Sequence, residues 1–470
     1  MNVFAQNSLL LDVVVGLSWF IIAAGLLQNL IYAVELAVAG VALARRPPLA
    51  ASAKLWQRTS DVVPPISILV PAYNEEKTIV PAIRAMLSLE YPNFEVIVID
   101  DGSRDHTVAA IDAAFELQVA TRAIDKAVPH KPLHGVYTSA RSPRLIVVAK
   151  ENGGKADALN AGINLSRSPL FCAIDADSLL ESDALLRAVQ PFVDDPVRTV
   201  AVGGTIRILN GCKTNSGRVT EIGLPGNALA LFQIIEYLRA FLIARLSLSR
   251  MGALTIISGA FGLFRRQVAV SVGGYSPEIV GEDLELVIKI HRAMREQGKD
   301  YRVEFIPEPV CWTEAPESIR VLANQRRRWQ RGALETFFKH RDMLTDPRYG
   351  RISWMGLGQM MLVDVLGPVV EVIGYILIPA FYFLGLLDFA FLLAFIAVTF
   401  AFGVFLSVGS LVLEELELRR FPRARDLAIL TLAAVAENFG YRQINNIWRL
   451  QGLWQYLRGV RGWGAATVRR

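Results

Sequence analysis

No lysine or arginine occurs before Arg45. A secretory signal peptide opens with basic residues, so the apolar start of this chain is expected to remain as a membrane helix. Cysteine is scarce: Cys172, Cys212 and Cys311 are odd in number and scattered. They form neither a metal-binding pattern nor a disulfide framework, which fits a reducing compartment. Two phosphate-binding signatures are also missing. In AKENGGK (149–155) Ala149 stands where a P-loop needs its first glycine, and no GxGxxG follows the first strand-like run. Standard P-loop and dinucleotide sites are therefore unsupported.

Apolar residues are plentiful. They make up 53% of the 470 residues, charged residues 20%, and the mean hydropathy is +0.36. That is too apolar for an ordinary soluble enzyme and too charged for a pure membrane bundle. The length supports about two or three domains, a soluble one fused to membrane helices. Lysine and arginine total 49 against 44 acids, a net charge of +5. This balance suits a cytoplasmic membrane surface or an anionic substrate.

Residues 9–43 are long enough to cross a bilayer core of about 30 Å. Arg45, Arg46, Lys54 and Arg58 follow, so the positive-inside rule puts the N-terminus outside and the following region in the cytoplasm. A second apolar region starts near Gly356. It holds two candidate spans, the first with Pro368 and Pro379 as expected kinks, and then a loop with Arg419, Arg420, Arg423 and Arg425. A third stretch, 427–454, begins apolar but runs into Glu437, Asn438, Arg442, Gln443, Asn445 and Asn446. Such residues are costly in lipid. A full crossing would also put Arg458, Arg461, Arg469 and Arg470 outside, so a re-entrant or interfacial helix is expected. The chain thus divides into a membrane helix (1–46), a cytoplasmic domain (60–345), a membrane region (354–447) and a cytoplasmic tail (448–470).

The cytoplasmic domain alternates short apolar runs with helical segments, the pattern of parallel βαβ units. Four polar clusters, YNEE, DDGSRD, ENGGK and DADS, follow four strand-like runs. Ligands of such sheets bind beyond the carboxyl ends of the strands, where all four fall. Residues 118–143 read as a basic surface insertion; Pro129 and Pro132 break any helix that would pair His130 with His134.

In DADS, Asp175 and Asp177 alternate along the chain and point the same way. Two hard oxygens suit Mg2+ or Mn2+, with substrate phosphate completing the shell. The plainer alternative is a solvent-facing acidic loop. Ser258, Gly259 and Ala260 of SGAFGLFRR permit close backbone approach to a ligand. GEDLEL (281–286) opens a helix; its acids either complement the helix dipole or supply a general base. In QRRRW (325–329) an arginine, suited to phosphate, adjoins a flat aromatic face, suited to a sugar ring. The helix carrying it, 316–342, is amphipathic and basic, and would also fit against anionic lipid.

VPAYNE, DDGS, NGGKADALN, DAD, SGAFGLFRR, GED and QRRRW occur in this order. Together they resemble the inverting family 2 glycosyltransferases, in particular the membrane-embedded processive synthases of cellulose, hyaluronan, chitin and poly-N-acetylglucosamine. The resemblance covers residues 60–345. It implies a GT-A fold, an α/β architecture with a mostly parallel nucleotide-binding sheet flanked by transmembrane helices. It implies a metal-dependent hexosyl- or N-acetylhexosaminyltransferase that moves sugar from a UDP-sugar to a growing polysaccharide at the cytoplasmic face of the inner membrane. Tyr73, Glu75, Asp100 and Asp101 would hold uracil and ribose, with Lys155 beside the nucleotide. Asp175 and Asp177 would bind nucleotide and metal, Mg2+ or Mn2+. Asp283 would be the base, with Glu282 next to it. Ser258, Gly259, Gln325, Arg328 and Trp329 would meet diphosphate and acceptor. GED replaces the family's usual TED. Three or four membrane segments are fewer than a lone polymer channel needs, so a homo-oligomer or export partner is expected to complete the path; nucleic acid is not expected as a partner. Two rival readings are a non-processive transfer of one sugar to a lipid carrier, and a transporter or scaffold with an inactive catalytic domain.

Overall fold

The computed structural model describes residues 8–45, 63–215, 217–418 and 423–460. Arg46, Lys54, Arg58, Arg419, Arg420, Arg461, Arg469 and Arg470 lie outside these residues, as does the tail beyond 460.

The chain lays down β1 (Ile66–Ala72), β2 (Phe94–Asp100), β3 (Leu117–Val119), β4 (Leu133–Ser139), β5 (Leu145–Lys150) and β6 (Leu170–Ala173). Then come β7 (Leu179–Leu180), β8 (Thr199–Ile208), β9 (Lys213–Asn215), β10 (Arg218–Glu221), β11 (Gly262–Arg265) and β12 (Arg302–Thr313). Ten strands form one sheet in the order β3-β4-β5-β2-β1-β6-β11-β8-β12-β7, and β9 and β10 make a separate ribbon. β1, β2, β5 and β6 are parallel. They are continuous Val, Ile and Leu runs because helices cover both faces.

The chain steps outward from β1 to β2 and β5, then returns to β6 on the other side of β1. That reversal opens a crevice beyond the strand ends. The register pairs Ala72 with Asp100, and Asp100 with Ala149. YNEE, DDGSRD and ENGGK therefore leave the sheet along one edge.

Two expectations need correction. The sheet is mixed: β1, β2, β5 and β6 are parallel and β12 runs parallel to β8, whereas β11 runs antiparallel between β6 and β8. The segment 118–143 is not simply a loop. Its second half forms β4, antiparallel to β5, and closes an otherwise open edge of the sheet. Only Val136 and Ser139 of β4 are buried, so no apolar alternation marked it. His134 is exposed, and the Nδ1 of His130 faces its neighbour's carbonyl, Lys131 O, at 2.7 Å.

Among the described residues three helices are long and apolar enough to cross a membrane: Leu11–Ala44, Ile352–Phe383 and Phe389–Leu416. The stretch after them is split. A helix at Ala424–Ala436 ends in a turn at Gly440 (φ +99°), and a second runs from Tyr441 to Leu457. Thirteen residues rise only about 20 Å, short of a bilayer core. The polar residues of the second helix face inward. Arg442 pairs with Glu371 at 3.0 Å, and Asn446 donates to the same carboxylate at 2.7 Å.

The QRRRW helix spans Ile319–Lys339. It is not an isolated helix on a lipid surface, because Leu322 and Ala323 pack with Tyr441 and Trp448 of the last helix. Gln330 Nε2 donates to Asp364 O at 2.5 Å, and Arg449 Nε donates to Gln330 Oε1 at 2.8 Å. One side chain thereby joins the QRRRW helix to Asp364 of the candidate span Ile352–Phe383 and to Arg449 of the helix Tyr441–Leu457.

Candidate active site

The first two loops are zipped together by side chains. Asn74, at φ +58°, accepts from Arg104 N at 2.8 Å, and Glu75 N donates to Thr107 Oγ1 at 2.9 Å. The same turn leaves Tyr73 exposed (44%) at the rim, and the Glu75 carboxylate accepts from Thr78 Oγ1. Asp100 is buried; its Oδ2 accepts from Ser103 N at 3.3 Å, whereas Oδ1 has no hydrogen-bond partner. Burial raises its pKa, opposed by the Ser103 bonds.

Asp101 points elsewhere. Its carboxylate accepts from Lys150 Nζ at 2.6 Å, Gly153 N at 3.0 Å and Gly154 N at 2.7 Å. Lys150, wholly buried, also pairs with Asp157 at 2.5 Å. Both Asp101 oxygens thus help shape the ENGGK loop. An isolated buried lysine is costly, and two carboxylates make this one tolerable. Lys150 and Asp157 went unread in the sequence, although a lysine ending the apolar run LIVVAK was a cue.

The ENGGK loop delivers Lys155 to the first turn of the helix Lys155–Leu165. Its Nζ is ion-paired with Asp175, 3.3 Å from Gly259 O and 3.7 Å from Glu282 Oε1. Burial works against this cation, but Asp175, Glu282 and Asp283 outweigh it and raise its pKa. Asp175 and Asp177 lie in a turn after β6, Asp175 half-buried and Asp177 exposed.

The GED segment starts the helix Glu282–Glu296. Its two acids differ. Glu282 is 4% exposed, and burial pushes its pKa up to about 7, with Lys155 opposing and Asp283 reinforcing the shift. Asp283 is more open; its Oδ2 accepts from Gly259 N at 2.9 Å and its Oδ1 from Leu284 N at 2.8 Å. One hydrogen bond from the SGA loop thus aims Asp283. Gly259 sits between cation and acid: a Cβ there would lie 2.8 Å from Lys155 Nζ and 3.5 Å from Asp283 Oδ2.

Gly281 explains the departure from TED. Its Cβ would come within 3.2 Å of the Gly332 backbone, and a Cβ on Gly332 would lie 2.7 Å from Gly281 N. The base segment and the QRRRW helix meet backbone to backbone, across 51 residues. On that helix Arg326 is buried; it pairs with Glu236 at 2.6 Å and lies 4.4 Å from the Trp329 ring centroid. Tyr441 donates to the same Glu236 at 2.9 Å. This stack holds Trp329, 45% exposed, at the site. Arg326, inside QRRRW, and Glu236, outside every quoted motif, were missed because they act through Trp329. Gln325 Oε1 is buried without a partner. Burial lowers the Arg328 pKa, opposed by Glu282, Asp175 and Asp283.

Lys155, Asp175, Ser258, Gly259, Glu282, Asp283, Gln325, Arg328 and Trp329 line one cavity of about 480 Å3. Tyr73, Glu75, Asp100 and Asp177 are not in its wall; Tyr73 and Glu75 belong to the loop after β1, and Asp100 ends β2. A second cavity of about 360 Å3 lies among the membrane helices, with Gln28, Glu35, Gln359, Glu371 and Asn446 in its wall. Glu236, Arg245, Asp364, Asn445 and Arg449 line both.

Among the described residues no three His, Cys, Asp or Glu side chains gather to hold a metal. Asp175 and Asp177 supply two carboxylates on one turn. That donor set fits a hard cation whose remaining ligands are water and substrate phosphate.

Residues 67–273 match Glycosyl transferase family 2. Over these residues the chain is similar to that family. The domain's relatives are synthases by name. Over 274 residues the chain is 31% identical to the poly-beta-1,6-N-acetyl-D-glucosamine synthase of Staphylococcus epidermidis, covering 58% of this chain and 56% of that protein. It is 29% identical over 274 residues to the protein of the same name from Staphylococcus aureus strain COL. The match spans a little over half the length of these relatives. A mannosyltransferase from Pyrobaculum calidifontis, solved with GDP-Man and Mn2+, is 20% identical with a TM-score of 0.54, covering 92% of this chain and 99% of that one. That likeness shows the fold, GT-A, and the expected architecture holds with the sheet correction given above.

Proposed function

We propose that this chain transfers a sugar from a UDP-sugar, with inversion, to the end of a growing polysaccharide at the cytoplasmic face of the membrane, and feeds the product toward the bilayer. The observation that carries this reading is the shared wall between the catalytic cavity and the polar membrane cavity. A cavity among the candidate membrane helices that shares lining residues with the catalytic one suits a growing chain better than a single transferred sugar. The relatives' names make an N-acetylhexosamine the first donor to test.

In this reading Asp100 Oδ1, buried and unpartnered, accepts from the base of the nucleotide, and Tyr73 covers the ring. Lys155 and Arg328 face the diphosphate. Asp177 and Asp175 would hold Mg2+ or Mn2+, which would neutralise charge on the departing diphosphate. Trp329 lies under the acceptor sugar. Asp283 removes the proton of the acceptor hydroxyl. The oxygen forms its bond to the anomeric carbon as the bond from that carbon to UDP breaks on the opposite face, so the configuration inverts. The fixed cations stabilise the leaving group without reorganising. A second copy or an export partner would complete the polymer path.

The test uses membranes containing the full chain, Mn2+ and a panel of labelled UDP-sugars headed by UDP-GlcNAc, with product sizing. A high-mass polymer from one donor supports the reading; a single sugar extracted into organic solvent overturns it. Asp283→Asn should lower the rate by about 10²- to 10⁴-fold while UDP still binds. Full activity in that variant would refute the base assignment.

A further inference from the structure

We propose that Arg245 is an acceptor-positioning residue, whose guanidinium donates to an oxygen of the saccharide as the chain passes from the catalytic cavity into the membrane cavity. This rests on the polysaccharide reading above. Arg245 lines both cavities, so a chain leading from one to the other passes it.

Arg245 is the last residue of a stretch of π-helical turns, Leu238–Arg245, inside an otherwise α-helical segment. Such widened turns recur at functional sites. The guanidinium carbon lies 3.6 Å from the Phe241 ring centroid, which backs and orients the group. The other cavity-lining arginines have partners. Arg239 pairs with Glu437, Arg326 with Glu236, Arg442 with Glu371 and Arg449 with Asp364; Arg328 is also engaged. Among the described residues Arg245 makes neither a hydrogen bond nor an ion pair, and its Nη1 is buried. Burial lowers its pKa to about 10, opposed by Asp283 and Tyr237, so the group remains cationic at neutral pH.

A buried guanidinium nitrogen without an acceptor is unfavourable. It can only donate, so the missing partner is an oxygen. A saccharide hydroxyl, ring oxygen or amide carbonyl meets that need and introduces no charge. The desolvated bond would be charge-assisted and among the stronger kinds.

The experiment compares wild type with Arg245→Gln and Arg245→Lys, each as the full chain in nanodiscs, with UDP-GlcNAc as donor and short N-acetylglucosamine oligomers as acceptors. UDP binding by calorimetry checks that each variant is folded. For Arg245→Gln the acceptor KM should rise about tenfold or more. Product should shorten, the donor KM should move less than about twofold, and Arg245→Lys should recover part of the loss. Equal changes in both KM values, or none, would overturn the proposal. A shifted pH–rate profile with an unchanged acceptor KM would assign Arg245 to tuning Asp283 and would also overturn it. A wild type that makes no polymer from any UDP-sugar sinks the parent reading and this one together; a polymerising wild type with unaffected variants sinks this one alone.

Discussion

Replacing Gly259 with alanine probes the tightest point of the catalytic cavity. The new Cβ would lie 2.8 Å from Lys155 Nζ. A non-bonded carbon sits comfortably at about 3.5 Å, so the ammonium must retreat by about 0.7 Å. The crowded atom is the end of a flexible side chain, and Gly259 does not occupy the left-handed region, so the backbone has no reason to move. The stability loss should stay within about 1 kcal/mol, the low end for an added methyl group. The retreat does matter for chemistry, since Lys155 is the cation paired with Asp175 in the path of the donor diphosphate. Misplacement on this scale should cost about 10- to 100-fold in rate. The assay is the initial rate at saturating UDP-sugar, with thermal unfolding measured in parallel. Full activity would refute the reasoning. So would a collapse of the melting temperature that accounts for the lost rate.

Gly332→Ala should behave differently, because its Cβ meets backbone, 2.7 Å from Gly281 N. The expected loss is about 1–3 kcal/mol, read as a lowered melting temperature, with activity falling as GED and QRRRW are pushed apart. Glu282→Gln tests the buried acid. The Glu282 pKa is raised from the ordinary 4.5 to about 7, so its stabilising contribution is complete below 4.5 and is lost as pH rises through 7. Relative to wild type, the glutamine variant should therefore gain stability between pH 5 and pH 8, by about 3 kcal/mol at most; a gain confined to low pH would contradict this. Chelation with EDTA should abolish transfer, and Mn2+ should restore it; transfer that is indifferent to chelator would remove Asp175 and Asp177 from any metal role.

The parallel half of the sheet was readable because each strand is a continuous apolar run broken by a polar cluster. ISILVPA, FEVIVID, LIVVAK and LFCA all fit that rule. β4 did not, since its burial depends on the edge of β5 rather than on its own pattern. The motif residues around the cavity were found individually, but their pairings were not. Nothing local in the sequence says that Gly281 rests on Gly332, or that Asp101 accepts from Lys150 and the glycine amides. The polar residues 437–446 marked a costly stretch, and the partner of Arg442 and Asn446, Glu371, lies in another helix.

Gln330 has a consequence for handling the protein. The helix bearing Trp329 is fastened through this residue to Asp364 and Arg449, so the proposed acceptor platform leans on a candidate membrane span and on the helix Tyr441–Leu457. Residues 63–345 cut free would keep the nucleotide loops but lose the wall behind Trp329. Detergent, lipid length and lateral pressure thus become active-site variables: whatever shifts the helix carrying Asp364 also shifts the surface on which the sugar rests. Donor binding and acceptor use should then respond differently to solubilisation, with the first surviving conditions that silence the second.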